Sequence, residues 1–339
     1  MAARGAPAGV ATGIGSLPGD DIDRAMALVF DELPDLPHLP ELPDRGPAAD
    51  LIGRTATNLV DLPVDLQPSG WRLVDRPGFD QRRGRDLLSG DLDALVPVAG
   101  PGYDGRLKVS LAGPWTLAAT LELPRGGAVL GDAGATHDLG ESLVEAVRAH
   151  LAEVARRVPQ ARLVLQLDEP MIPAVQLGRV KTESGFGVHR IPEPTVVEQV
   201  LRDVIGAAGD VPVVVHCCAE GPPLRLFRDA GAAAVSIDAL TRKPDHDALG
   251  ELVEAGLALW LGVVPSLGPG VAPPPREVAD RARRLWRDLG FDPEQLPDVV
   301  AVTPTCGLAS ASPGWAHSAY RLLRQAARTL AEAPEGTSV

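Results

Sequence analysis

Short runs of aliphatic residues recur along the chain, separated by longer stretches in which apolar positions return every three or four residues. The runs fall at 10–16 (VATGIGS), 107–112 (LKVSLA), 162–167 (RLVLQL), 212–217 (PVVVHC), 233–238 (AAVSID), 257–263 (LALWLGV) and 299–304 (VVAVTP). Most are near-continuously apolar and end in Gly, Pro or polar residues, the pattern of strands buried on both faces of a parallel sheet. Between 139 and 158, Leu143, Val144, Val147, Leu151 and Val154 repeat at helical spacing, and 194–207, 244–255, 275–289 and 315–331 read likewise. The alternation of the two patterns predicts an α/β fold.

Seven runs, with an eighth hidden in the Pro-rich 33–66 region, suit a chain of 339 residues folded as one (β/α)8 TIM-type barrel. The expectation is a single domain over 1–339 with an ordered core from about 10 to 330. The stretch from Pro34 to Gly105 is the least legible, its LPDLPHLPELP repeats are expected to form an ordered but irregular loop in a Pro-rich N-terminal region, and EAPEGTSV at the end a frayed tail.

Composition narrows the function. Hydrophobic residues at 45% and charged residues at 23% describe a globular chain, neither disordered nor collagen-like. A net charge of -13 repels a phosphate backbone, so nucleic acid is not an expected partner. With no apolar stretch long enough to span a bilayer and no signal-peptide core at the N-terminus, neither a membrane nor export is expected, and the reading is cytoplasmic. In that compartment Cys217, Cys218 and Cys306 are better read as thiols or metal ligands than as disulfides.

Chemistry-bearing residues gather where strands end. His216 and Cys218 close the run PVVVHCC two positions apart, so they point to one side of an extended strand while Cys217 points to the other. Cys306, in VTPTCGL, follows another strand, and one imidazole with two thiolates matches the ligand preferences of Zn²⁺ with a fourth position open. Asp238 ends AAVSID and is placed either as a fourth, oxygen ligand or as an acceptor that orients His216. The plainer alternative, small buried thiols in the core, is the weaker reading once three such residues share one structural address. Asp168-Glu169-Pro170 ends a further strand and fits either an ammonium-binding acid or a turn and helix cap. Gly13-Ile14-Gly15-Ser16 offers backbone N–H groups to a carboxylate, although it is neither GxGxxG nor a phosphate loop. Arg72, Arg76, Arg82, Arg83 and Arg85 form either a basic patch or, the favoured reading, a solvated surface segment.

Taken in order, GIGSLP, LAGPWTL, LQLDEP, His216-x-Cys218, SID and TPTCGL resemble the catalytic C-terminal barrel of cobalamin-independent methionine synthase over about residues 10 to 330. The resemblance implies a zinc enzyme with His216, Cys218 and Cys306 as ligands, and Asp238 where the family usually carries Glu. It implies that Asp168 contacts the amino group of homocysteine, that Ile14, Gly15 and Ser16 receive its carboxylate, and that Glu41 is the nearest counterpart of a further amine-binding Glu. The implied reaction is methyl transfer to a zinc-activated homocysteine thiolate. Because the chain is similar to short relatives that lack the family's N-terminal barrel, the implied donor is a methyl-corrinoid protein or methyl-tetrahydrofolate. The competing readings are zinc-dependent alkyl transfer to another thiol of the epoxide:thiol type, a non-catalytic zinc-binding protein, and a decarboxylase of the wider superfamily.

Overall fold

A computed structural model describes residues 5–182, 184–240, 244–269 and 271–336, so the last three residues of the expected C-terminal tail lie outside it. A small antiparallel hairpin comes first, β1 (Val64–Gln67) and β2 (Gly70–Leu73). Six strands follow: β3 (Arg106–Ala112), β4 (Arg162–Asp168), β5 (Val213–Cys217), β6 (Ala234–Asp238), β7 (Ala258–Val264) and β8 (Val300–Pro304). They form one curled, wholly parallel sheet in sequential order from β3 to β8.

Parallel neighbours need a crossover, and the amphipathic stretches supply it. The helices Ala133–Arg157, Pro194–Gly206, His246–Glu254, Pro275–Asp288 and Pro313–Glu332 match the five expected ones to within two residues at either end, except that the first starts six residues earlier than expected. Three of them start at side chains that accept from otherwise orphaned N–H groups, Asp132 from Ala135, Asp245 from Ala248 and Ser312 from Trp315, and the other two open with Pro194 and Pro275.

Strand alternation divides the sheet into two faces. Val109, Leu111, Leu165, Leu167, Val215, Cys217, Val235, Ile237, Leu259 and Leu261 pack with the helices in the large core. Val164, Val214, Ala234, Ala258, Trp260 and Ala301 face the other way and form a smaller cluster with Ala6, Val10 and Leu36. Polar residues share that second face. Lys108, Ser110, Gln166, Asp168, His216, Ser236 and Thr303 are all buried and alternate with members of the large core.

Eight strands were expected in the sheet, and among the described residues six form it. The 10–16 run is extended but contributes isolated bridges: Ala11 pairs with Val302 on the β8 edge, and Ser16 pairs with Glu41. The hidden run lies at 37–41, where His38 bridges Lys108 on the β3 edge. Pro37 and Pro40 lack N–H donors and break any regular ladder there.

The LPDLPHLPELP repeats form an ordered, irregular segment as expected, and regular structure fills much of the least legible stretch, Pro34 to Gly105. It holds the hairpin, a short helix Leu51–Ala56 and a helix of 21 residues, Phe79–Ala99. Gly84, Gly90 and Pro97 and many charges blur the periodicity of that long helix. It is pinned by buried Asp91, which accepts from Arg45 at 2.7 and 2.9 Å and from Arg54 at 2.6 Å. Among the described residues no helix is long and apolar enough to cross a membrane.

Candidate active site

His216 and Cys218 sit at the end of β5, and Cys306 follows β8; their ligand atoms all lie within 4.8 Å of one another. The two sulfurs are 3.1 Å apart. Ligands at tetrahedral zinc distances stand roughly 3.5 to 3.8 Å from each other, so the cluster needs only small adjustments to hold the ion. Two further observations fit a cation. His216 Nε2 is buried with no hydrogen-bond partner, while Nδ1 lies 2.9 Å from Ser236 Oγ on the neighbouring strand. With Nδ1–H donating to Ser236, the ring lone pair is on the orphaned Nε2, and a metal bond satisfies it. The hydrogen bond from Cys218, and then the His216 imidazole, hold the Cys306 thiol well below its usual range, whereas the same sulfur contact and burial push Cys218 up. Two sulfurs in contact, one favouring its thiolate, are the donor set that a divalent cation would bind.

Ser236 was not anticipated, although its position two residues before Asp238 in SID put it on the same strand face. It takes the orienting place proposed for Asp238. The Asp238 carboxylate accepts the Leu240 N–H at 2.8 Å and lines a cleft of about 610 Å³ beside Cys218, outside the group of three that closes to within 4.8 Å.

Cys217 points into the large core, as its strand phase requires, and burial pushes its thiol up to about 12. Cys217→Ser is therefore expected to keep its zinc, while losing about 1 to 2 kcal/mol of stability for a hydroxyl placed among aliphatic groups. Metal analysis beside a denaturation curve checks this, and zinc loss as severe as that of Cys218→Ser contradicts the strand phase.

The adjacent carboxylates of the DEP turn have opposite fates. Glu169 is fully buried and serves as a helix cap, accepting from the N–H groups of Trp115 and Thr116 and from the Thr116 hydroxyl at 2.7 to 2.9 Å. Those bonds partly offset a burial that pushes its carboxyl up to about 7. Gly113 is required there, since a Cβ would stand 2.5 Å from the Glu169 carboxyl. Asp168 turns to the second face, in register with Ala112 on β3 and His216 on β5. Burial raises its carboxyl, His216 and Lys108 pull it down, and Glu41 pushes it up, so the two acids and the metal cluster share one buried environment.

The predicted substrate residues meet beside it. Glu41 is buried, donates its N–H to Gly15 C=O at 3.1 Å and accepts the Ser110 hydroxyl at 2.7 Å. The Ile14 carbonyl accepts from Lys108 Nζ at 2.6 Å and Gln166 Nε2 at 2.9 Å. Ser16 reaches the metal loop directly: its C=O accepts the Leu308 N–H at 2.8 Å, and a Cβ on Gly307 would collide with its hydroxyl. Lys108 and Gln166 were missed, although a Lys and a Gln inside otherwise apolar strands were themselves a signal of inward-facing polar groups.

Of the arginine group, Arg82, Arg83 and Arg85 lie on the helix Phe79–Ala99. Arg72 pairs with Glu122, and Arg85 donates to the carbonyls of Thr57 and Leu59, as befits the surface-segment reading.

Comparison with known proteins agrees with this geometry. The family described as "Cobalamin-independent synthase, Catalytic domain" matches residues 108–329, which include every residue of the metal cluster and Asp168. No curated protein matches. Among solved structures, a B12-independent methionine synthase from Shewanella sp. W3-18-1 in complex with selenomethionine is similar at 13% identity and a TM-score of 0.59, over 96% of this chain and 98% of that one. At that identity the likeness is one of fold. A GH5_18 protein from Streptomyces cattleya (16% identity, TM-score 0.45, 97% of this chain and 80% of that one) and a Thermobacillus composti GH10 xylanase (13%, 0.40, 95% and 96%) are looser matches and carry no functional information.

Proposed function

Because the chain belongs to the cobalamin-independent synthase catalytic-domain family, we propose that it transfers a methyl group to the thiol of homocysteine at a zinc site built from His216, Cys218 and Cys306. The observation that carries this reading is the closed His-Cys-Cys cluster with an orphaned, correctly oriented His216 Nε2. Zinc, when bound, supplies the positive charge that keeps a substrate thiol ionised near neutral pH. The sheet, with the bridged segments 9–17 and 37–41 as two further members, is read as a single (β/α)8 domain whose strand ends carry the site.

The chain's own residues account for orientation. Asp168 and Glu41 form the negative end of the pocket and take the substrate ammonium. The backbone of Ile14, Gly15 and Ser16 lies beside them to receive the carboxylate. Holding both groups aims the thiol at the metal cluster and supplies the proximity that an intermolecular methyl transfer otherwise lacks. Two buried acids favour an amino-acid thiol over a sulfonate-bearing thiol, which would require Arg or Lys in their place. Asp238 remains the candidate for a fourth protein ligand.

The test is direct. Purified chain is expected to bind about one zinc per molecule, and zinc X-ray absorption should register one additional sulfur when homocysteine is added. Supplying a methyl-corrinoid protein and a methyl-tetrahydrofolate in parallel identifies the donor by methionine formation. Failure to take up zinc refutes the reading.

A further inference from the structure

One buried charge is left without a task by the reaction just described. Lys108 is fully buried in the middle of β3, where its backbone donates to Pro37 C=O and accepts from Leu39 N–H. Its ammonium does not reach the metal cluster. It donates to Ile14 C=O at 2.6 Å and to Gln166 Oε1 at 2.5 Å. The Gln166 amide nitrogen then donates to the same Ile14 carbonyl at 2.9 Å and to Asp168 Oδ1 at 2.8 Å.

The direction of these bonds matters. A primary amide can present either its oxygen or its nitrogen after a half-turn about its last torsion. Lys108 is a donor only, so it fixes the Gln166 oxygen toward itself and the Gln166 nitrogen toward Asp168. Without that constraint the amide oxygen is free to face the Asp168 carboxylate, which repels it. Burial works against the charge of this ammonium, while attraction from Asp168 and Glu41 works for it.

We propose that Lys108 is a positioning residue for the amine end of the substrate: through Gln166 it locks one oxygen of Asp168 and leaves the other to the substrate ammonium. The inference rests on the amino-acid-thiol reading above and deepens it. It predicts an effect confined to the amino group of the ligand, with the thiol and carboxylate ends unaffected.

The experiment compares L-homocysteine with 4-mercaptobutanoate, which differs only in lacking the amino group. Binding is read from the charge-transfer band of the cobalt-substituted protein, for wild type, Lys108→Met and Gln166→Met, with metal content and thermal transition as controls. In each variant the Kd of homocysteine should rise about tenfold or more, the scale of one charge-assisted hydrogen bond, while that of 4-mercaptobutanoate stays within about twofold. Should Lys108→Met not fold, Gln166→Met alone decides. A homocysteine Kd that does not move, or two Kd values that rise together, overturns the proposal and leaves Lys108 as packing. A wild-type protein that binds both thiols equally overturns the amino-acid-thiol reading itself, and this inference with it.

Discussion

Replacing Cys306 with serine is expected to empty the metal site and abolish methyl transfer. The substitution removes one of two thiolates from a cluster whose third member is a single imidazole nitrogen. A serine hydroxyl stays protonated near neutral pH and is a poor ligand for a borderline-soft cation. Structural zinc affinities correspond to about 10 to 16 kcal/mol for a full ligand set, so loss of one thiolate should weaken zinc binding by at least about a thousandfold. Turnover falls with occupancy. The fold should survive, because Cys306 lies after β8 and is only partly buried, outside the large core. Metal analysis after dialysis, with circular dichroism to confirm folding, checks this; retention of about one zinc per chain would show that Cys306 is not a ligand.

The second large effect is expected at the other end of the substrate. Asp168→Asn keeps the shape of the side chain and can keep the bond from Gln166, but it removes the charge that faces the ammonium. A hydrogen bond to a charged group contributes about 1.5 to 3 kcal/mol, so the KM for homocysteine should rise roughly 10- to 150-fold. Because the amine is bound alike before and during methyl transfer, kcat should change by less than about fivefold. Zinc content should not change. Steady-state kinetics at fixed zinc loading separates the two parameters, and an unaltered KM removes Asp168 from the binding site.

Legibility in the sequence followed burial. All six strands of the parallel sheet were visible because both their faces are covered, which leaves runs such as VVVHC and ALWLGVV with almost no polar interruption. The segments at 10–16 and 37–41 were harder, because they pair through isolated bridges and so need no long apolar run. The region from 51 to 99 was the least legible, for a different reason. Its long helix has one buried stripe, Leu88, Leu92 and Leu95, among charges and glycines, and is anchored by the Arg45–Asp91–Arg54 ion cluster, whose partners are far apart in sequence.

The division of the HCC run was legible from strand phase: His216 and Cys218 share a side, Cys217 does not, and the structure brings the first two beside Cys306 while Cys217 joins the large core. The partners of the cluster could not be read in the same way. Ser236 touches His216 because β5 and β6 are in register at that pair, which depends on sheet order. Glu169 looked as suitable for ligand binding as Asp168, and only the approach of the Trp115 and Thr116 amides assigns it to the helix end.

The contact between Gly307 and Ser16 bears on redesign. The loop that carries Cys306 and the segment assigned to the substrate carboxylate meet with no room for even a methyl group, and the Leu308–Ser16 hydrogen bond fixes their spacing. On the proposed reading, the distance from sulfur to carboxylate in an acceptable substrate would be set by this backbone contact rather than by exchangeable side chains. An engineer seeking a longer or shorter thiol acid would have to move two loops together, whereas a change at the amine end requires only new side chains.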